Sequence, residues 1–467
     1  MKYIAVQILS LAVWTVLSVQ ATVAEDWPWF LGPRHTGVSG ETQLNLDWTK
    51  KTPAVLWKGS VGTGYSAPSV LGDRLVIHHR KGDQEIVSCR NIADGTEVWT
   101  HEYPTTYVDP YGYNNGPRCS PVLTPDRCFT LGAEGMLVCT SMMDGKLLWQ
   151  KDIRKEFNVP DGFFGVGCSP ILEEDRLIVL VGGQPNSGVV AFNKADGKVL
   201  WQAVGQQTWD GVETDQGEKH EWSDSEMVVS YSSPIIAELH GQKHLLCLVR
   251  QGLVSLNPAT GTENFHYWFR SKVHESVNAA RPVVIGNSVL LSAAYKQGSV
   301  LLGVETDGKQ LKEIWRDRES LLAHWSTPIH INGCIYGFSG RHEKEGELRC
   351  VDGSTGKLLW QTAGYDGNLL GLQQDRDTGK IFDEAGKEIP YPVFGRGSLI
   401  QVGSRFIVLG EHGTVAVVEV NQDKFVEYGR FDLDEIKYPA WAAPVLSNGK
   451  LFLRSEEWIV CLDLKTE

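Results

Sequence analysis

Aromatic residues and arginines recur at one position of this sequence, three residues before a repeated proline. Aromatic faces stack on flat rings, and the planar guanidinium group donates paired hydrogen bonds to carboxylates. A rim that combines both would bind a small carboxylate-bearing or sugar-like ligand, or an acidic peptide of a protein partner. The candidate ligand-binding residues, one of them an arginine two positions further along, are Tyr65, Arg118, Tyr231, Arg281, Trp325, Arg396 and Trp441.

These residues also have a structural interpretation. The rings could pack between repeats, with the arginines paired to loop carboxylates, and the sequence leaves both interpretations open. It indicates no catalytic residue, because Gly-x-Ser-x-Gly and His-Glu-x-x-His are absent. Without Cys-x-x-Cys, no metal site is predicted. The odd count of nine cysteines and their place in apolar runs favour buried thiols over disulfides.

The proline that marks these positions opens a short apolar run each time. Strands tolerate proline at their first residue, so each marker predicts the start of a strand. Ser398-Leu399 takes the place of the one missing marker. The markers are Ala67-Pro68, Ser120-Pro121, Ser169-Pro170, Ser233-Pro234, Arg281-Pro282, Thr327-Pro328 and Ala443-Pro444.

A second pattern, in which Trp follows Gly by four residues, runs in step with the prolines. Asp-Gly is typical of a tight type I′ hairpin turn, and the apolar run behind it predicts a strand. A Trp at one offset on each strand predicts a ring wedged between neighbouring sheets. The clear copies are Asp94-Gly95 to Trp99, Asp144-Gly145 to Trp149, Asp196-Gly197 to Trp201 and Thr355-Gly356 to Trp360.

Each unit from a marker proline to the following Trp has room for four short strands. A sheet of four such strands is the blade of a β-propeller. The markers predict an all-β, eight-bladed propeller of four-stranded antiparallel blades. The last unit, from Ala443, has only three strands, whereas Ala54–Trp57 carries a Trp before any first strand. We therefore expect this N-terminal strand to complete the C-terminal blade and close the ring.

The chain begins with features of a secretory signal. Lys2 precedes an apolar run from residue 4 to residue 19, followed by small-residue cleavage sites. The signal peptide is predicted to be residues 1–21, with cleavage after residue 24 as an alternative. Residues 22–467 are then a single propeller domain that is periplasmic or secreted.

Composition limits the partners. The formal net charge is −13, which argues against binding to nucleic acid or to an anionic membrane surface. No later stretch is long and apolar enough for a membrane span.

The Asp-Gly-Lys-x-x-Trp repeat resembles the pyrroloquinoline quinone (PQQ) repeat propellers. That superfamily includes quinoprotein alcohol dehydrogenases and the scaffold lipoprotein of the outer-membrane β-barrel assembly machine. The resemblance is closest to exported PQQ-like propellers of planctomycete-type bacteria. The stretches that carry it are 27–33 (WPWFLGP), 115–121 (NGPRCSP), 231–234 (YSSP) and 348–351 (LRCV).

The resemblance implies two functions of different classes. In the dehydrogenases, PQQ lies under a disulfide between adjacent cysteines, beside a Ca²⁺ ion held by Glu, Asn and Asp. This sequence has no Cys-Cys pair, and none of those ligands transfers residue by residue. We therefore expect a binding or scaffold module with no cofactor. A PQQ-dependent dehydrogenase with Ca²⁺ and a divergent site is the alternative.

Overall fold

The computed structural model describes residues 24–228, 231–365, 367–375 and 378–466. The predicted signal peptide, residues 1–21, lies outside the described residues, whereas the alternative cleavage point after residue 24 falls between the described residues Ala24 and Glu25. A search of the described helices for one that could span a membrane finds none of sufficient length and apolarity.

The described residues form seven four-stranded sheets, one five-stranded sheet and one three-stranded sheet. Strands β1 (Val38–Ser39) and β2 (Ala54–Ser60) come first. The first three sheets are β3 (Ser69–Leu71), β4 (Arg74–Lys81), β5 (Gln84–Asn91) and β6 (Glu97–Pro104); β7 (Val122–Leu123), β8 (Arg127–Leu131), β9 (Met136–Ser141) and β10 (Leu147–Asp152); and β11 (Ile171–Glu173), β12 (Arg176–Gly183), β13 (Ser187–Asn193) and β14 (Val199–Ala203).

The next three sheets repeat this order. They are β15 (Ile235–Leu239), β16 (Gln242–Leu248), β17 (Gly252–Leu256) and β18 (Glu263–Trp268); β19 (Val283–Ile285), β20 (Ser288–Ala293), β21 (Gly298–Val304) and β22 (Leu311–Asp317); and β23 (Ile329–Ile331), β24 (Cys334–Ser339), β25 (Glu347–Asp352) and β26 (Leu358–Thr362). A small three-stranded sheet follows, made of β27 (Gln373–Gln374), β28 (Ile381–Phe382) and β29 (Glu388–Ile389).

The seventh large sheet is β30 (Ser398–Val402), β31 (Arg405–Leu409), β32 (Val415–Glu419) and β33 (Glu427–Phe431), and β1 pairs in parallel with β30. The last is β34 (Val445–Ser447), β35 (Lys450–Arg454) and β36 (Trp458–Asp463). Helices are short: α1 (Ile153–Glu156), α2 (Gln206–Trp209) and two 3₁₀ turns at Glu343–Glu345 and Leu369–Gly371.

The N-terminal strand completes the C-terminal sheet. Strand β2 pairs antiparallel with β36, with Val55 opposite Leu462 and Trp57 opposite Cys461. This is the pairing that the unaccompanied Trp57 strand predicts. It covers the edge that β36 would otherwise expose.

The repeated Trp links each sheet to the next. Trp99 of the first sheet donates its indole N–H to the Met142 carbonyl in the second sheet, at 3.0 Å. Gly145 lies flat against the same ring, because a Cβ at this glycine would be 2.5 Å from Trp99. Trp57 makes the same pair of contacts with Ile92 and Gly95, from the last sheet to the first. The spacing between Gly and Trp therefore reflects packing between consecutive sheets.

The turns themselves differ from the predicted type I′ hairpin. That turn needs a positive φ at both central residues, but at Asp144-Gly145 only Gly145 has one, of 71°. The amide of Gly145 donates to the Ser141 carbonyl, and Ser141 donates to the Lys146 carbonyl, so the loop spans residues 142–145. The Asp144 carboxylate accepts from the Lys146 amide at 3.3 Å, which holds the turn with Asp144 outside the left-handed region.

Gly145→Ala should lower the free energy of unfolding by about 1–3 kcal/mol more than Gly82→Ala does, through overpacking against Trp99. Gly82 is the matched control, because its φ of 60° carries the same backbone strain while nothing lies within 4 Å of the added Cβ. Denaturant unfolding measures both. Equal losses for the two variants would show that the Gly–Trp contact does not determine the repeat.

The core consists of apolar clusters between consecutive sheets. One cluster joins Leu131 and Cys139 of the second sheet to Val179 and Phe192 of the third. Another joins the seventh, eighth and first sheets through Ile407, Leu453 and Val70. All nine cysteines are buried, and none forms a disulfide. The sheets and their packing are consistent with a β-propeller.

Candidate functional site

A central cavity of about 280 Å³ is lined by all eight residues that stand three positions before the strand markers. Six of them are sequence candidates, and the other two are small. They are Tyr65, Arg118, Gly167, Tyr231, Ala279, Trp325, Arg396 and Trp441. The structure therefore brings six of the seven predicted binding residues to one place, although their binding of a ligand stays a prediction.

The first strands of neighbouring sheets are joined beside this cavity. The Ser120 amide donates to the Ser169 hydroxyl and the Ser169 amide to the Ser233 hydroxyl, each at 2.9 Å. These serines hold equivalent positions, one residue before the marker proline. Because the strands start in register, residues at one offset from the marker meet around the same space.

The segment before the first repeat contributes to the cavity lining. Trp27 forms a bridge with Val70 of β3, and the indole N–H of Trp29 donates to the Leu123 carbonyl of β7. Between these anchors and β1, Phe30 and Leu31 line the cavity and form what we call its floor. The floor is therefore attached to the first two sheets.

Arg281, the seventh candidate, differs from the others because it is absent from the cavity lining. It is 2% exposed, and its guanidinium donates to carbonyls of two segments. The acceptors are Ser233, Pro234, Phe30 and His35, at 2.6 to 3.3 Å. Burial lowers the pKa of Arg281 to about 9. Because backbone carbonyls occupy its donors, Arg281 holds the floor in place, and we remove it from the binding set.

Trp441 is the centre of the aromatic wall. Its ring lies 4.9 Å from Tyr65 and 5.2 Å from Trp325, measured between centroids. Tyr113 and Tyr438 approach the same ring at 6.1 and 6.0 Å. Tyr65, Tyr113, Trp325 and Trp441 line the cavity, and such a group of rings suits a flat or ring-shaped ligand.

Arg396 is fixed between the two tryptophans. Its guanidinium lies 5.0 Å from the Trp325 ring and 4.9 Å from the Trp441 ring. Glu411, whose side chain is fully buried, accepts from this guanidinium at 2.8 Å and from the Trp441 indole N–H at 3.0 Å. The charge of Arg396 is thus balanced by Glu411, and the arginine orients the rings.

Arg118 has a similar internal partner. It forms an ion pair with Asp109, a fully buried carboxylate, and donates to the Asn114 and Gly116 carbonyls at 2.9 Å. Its guanidinium also lies 5.4 Å from the Tyr107 ring. Arg118 therefore fixes the 109–116 loop, whose Tyr113 lines the cavity. The structural interpretation of the arginines holds for both Arg118 and Arg396.

Sequence reasoning missed the third arginine of the cavity, Arg341. Its guanidinium lies 4.5 Å from the Tyr295 ring, and no carboxylate of the described residues forms an ion pair with it. Tyr295 and Arg341 follow the second strands β20 and β24, whose ends lie beside the starts of their antiparallel neighbours. An alignment on the ends of the second strands would have found them.

Polar groups without partners also face this region. The Ser398 hydroxyl, the Trp325 indole N–H and the Nδ1 atom of His324 have no hydrogen-bond partner among the described residues. Burial, together with the positive Arg396 and Arg341, lowers the pKa of His324 to about 3, so this imidazole is neutral at physiological pH.

Comparison with known proteins identifies the family. Residues 83–362 match the family described as "Outer membrane protein assembly factor BamB". The chain belongs to the PQQ-like repeat family. No curated protein has a significantly matching sequence.

Solved structures share this PQQ-like repeat fold. BamB from Moraxella catarrhalis aligns with a TM-score of 0.56 and 13% identity, over 88% of this chain and 100% of that chain. The quinohemoprotein alcohol dehydrogenase from Comamonas testosteroni aligns with a TM-score of 0.60 and 12% identity, over 95% of this chain and 81% of that chain. At these identities the likeness shows the fold alone.

Two buried carboxylates beside the cavity are engaged by arginines. Asp109 and Glu411 are already paired with Arg118 and Arg396, so neither carboxylate is free for Ca²⁺. Among the described residues, no three His, Cys, Asp or Glu side chains form a metal-binding group. Cys119 and Cys168, at equivalent positions of two sheets, are buried and form no disulfide.

Proposed function

We propose that this protein is an exported binding module, and that its central cavity takes a small ring-bearing ligand with one carboxylate. In this proposal, residues 22–467 form one domain, and the eight large sheets are the blades of one closed ring. The family supports a binding or scaffold role at the level of the fold. The more specific proposal, a ligand with one carboxylate, rests on the charges of the side chains that line the cavity.

The balance of these charges selects a monoanion. Asp109 neutralises Arg118 and Glu411 neutralises Arg396, whereas Arg341 has no carboxylate partner in the described chain. With His324 neutral, one guanidinium charge remains at the wall. A ligand carboxylate that meets Arg341 there would form the strongest class of protein hydrogen bond.

The rest of the wall suits a ring. Trp325, Trp441 and Tyr65 offer stacking surfaces. The volume of about 280 Å³ is near the lower end of the range for small-molecule sites, roughly 300–1,000 Å³. Uronic acids and aromatic monocarboxylic acids both match this description.

The small volume of the cavity, about 280 Å³, favours this ligand over a long peptide. A protein partner would have to insert one acidic or aromatic side chain. The family description names an assembly factor, so we keep a protein partner as an outcome of the test. For the location, we propose the periplasm or the exterior, on the basis of the leader-like residues 1–21.

A panel titration tests the proposal. Binding of hexuronic acids and aromatic monocarboxylic acids should quench the fluorescence of Trp325 and Trp441 and raise the unfolding temperature. The matched control for each acid is its uncharged amide, which keeps the ring and removes the charge. Equal responses to acid and amide, or a response to neither across the panel, would contradict the proposed ligand class.

PQQ should not bind tightly, with or without Ca²⁺, because both carboxylates beside the cavity are occupied by arginines. Calorimetric titration with PQQ and CaCl₂ measures this, and we expect a Kd well above about 1 μM. Submicromolar binding or dye-linked alcohol oxidation would instead favour the dehydrogenase alternative.

A further inference from the structure

A second cavity, of about 260 Å³, lies where the N-terminal segment meets the last sheet. It is separate from the central cavity, since the two share no lining residue. Its lining combines the start of the described chain with the β34–β35 turn and the C-terminal residues. The lining residues are Ala24, Glu41, Thr42, Gln43, Leu44, Asn448, Gly449, Lys465 and Thr466.

Glu41 is the buried charge of this second cavity. Its residue is 4% exposed, and its Oε2 atom accepts from the Gly449 amide at 2.7 Å. Its Oε1 atom has no hydrogen-bond partner in the described part of the chain. Burial raises the pKa of Glu41, although the backbone N–H groups of Gly449, Asn448 and Glu25 lower it in part. A buried carboxylate with a free oxygen is costly unless a cation reaches it.

Glu25 lies near this carboxylate, and its backbone N–H group is among those that lower the pKa of Glu41. The Glu25 carbonyl accepts from the Ser447 hydroxyl at 2.9 Å, and its side chain forms an ion pair with Arg34 at 2.6 Å. The Gly40 amide also donates to the Glu25 carboxylate, at 2.7 Å. Going along the described chain from its N-terminal end, Glu25 is thus the first residue whose backbone and side chain are both held by contacts with other parts of the protein.

The two carboxylates of Glu25 and Glu41 are accompanied by only one paired positive charge. The carboxylates of Glu25 and Glu41 interact with each other, while Arg34 is paired with Glu25 only. Lys465 lines the cavity but is exposed and forms no ion pair with Glu41 among the described residues. A positive charge on the Glu25 nitrogen would balance the set, and that nitrogen gains a charge only if the preceding peptide bond is cut.

We propose that the leader is cleaved between Ala24 and Glu25, and that the α-ammonium group of Glu25 then pairs with Glu41. The sequence Thr22-Val23-Ala24 has small residues where a leader peptidase needs them. Hydrolysis consumes one water, which gives a carboxylate on Ala24 and an amine on Glu25. The amine takes a proton at neutral pH, because a neighbouring carboxylate stabilises the ammonium form.

The first test is the N-terminus of the exported protein. After secretion with its own leader, intact-mass measurement and N-terminal sequencing should give Glu25 as the first residue. A chain that begins at Thr22, or at any other residue, overturns the proposal. This outcome is independent of ligand binding in the central cavity, so the two proposals fail separately.

The second test measures the ion pair by the rate of amine labelling at neutral pH. The α-amino group of the mature protein should react about tenfold more slowly than that of Glu41→Gln, since a pKa raised by about one unit leaves tenfold less free amine. Lys465→Ala is the matched control and should stay slow. A protein with two glycines before Glu25 keeps Glu41 but moves the α-amino group away from it, so this amine should be labelled fast. This variant provides the same test if Glu41→Gln does not fold. Equal rates in the mature and extended proteins would contradict the pairing.

Discussion

A chain that lacks residues 27–60 should fail to form a stable, soluble protein. The deletion removes β2 and exposes the edge of β36, which then invites aggregation. It also removes the buried Trp27, Trp48 and Trp57. Loss of one buried Trp costs about 3–5 kcal/mol, so the three together approach or exceed the roughly 5–15 kcal/mol that stabilises a typical domain.

Soluble yield, size-exclusion chromatography and thermal melting followed by circular dichroism measure this loss. The matched pair Trp57→Ala and Leu56→Ala separates the ring contact from the strand, because Trp57 is 8% exposed and Leu56 is 43% exposed. Only the first should lower the unfolding temperature clearly. If the deleted chain were soluble and melted as cooperatively as the full chain, the closed ring would be wrong.

Arg341→Ala should weaken binding of the best carboxylate in the panel by roughly ten- to a hundredfold. This corresponds to the loss of about 1.5–3 kcal/mol for hydrogen bonds to a charged group. Affinity should be constant between about pH 6 and 8, because the pKa of His324 is lowered to about 3 and its charge does not change over this range. Calorimetry over this range measures both effects.

Three variants give the controls for Arg341. Arg341→Lys keeps the charge and should retain part of the affinity, whereas Arg74→Ala removes a distant arginine and should change nothing. Arg118→Ala should weaken binding less than Arg341→Ala, because Asp109 already balances Arg118. If Arg118→Ala had the larger effect, the assignment of the ligand carboxylate to Arg341 would be wrong.

The wall of the cavity could be predicted from the sequence because its residues belong to the repeat. Each marker proline starts a first strand, so a fixed offset from it reaches the same level of the cavity in every sheet. Tyr65, Trp325 and Trp441 follow from this rule alone. Arg281 does not, because it lies two residues further along its strand, where the side chain reaches the floor segment.

Other features had no periodic signal. The floor comes from residues before the first repeat, so no alignment of repeats could place Phe30 or Leu31. Arg341 follows a second strand, which the proline marker does not index. The pairing of Arg118 with Asp109 joins residues of one loop, and only the folded loop shows that this carboxylate is buried. The turn was misjudged because Asp-Gly fits both a two-residue and a longer hairpin loop.

A crystal structure with the tightest-binding carboxylate of the panel tests the central claim most directly. We predict density for the ligand in the central cavity, with its ring against Trp325 or Trp441 and its carboxylate at hydrogen-bond distance from Arg341. A ligand bound outside this cavity, or inside it with the carboxylate turned away from Arg341, would contradict the proposed binding site.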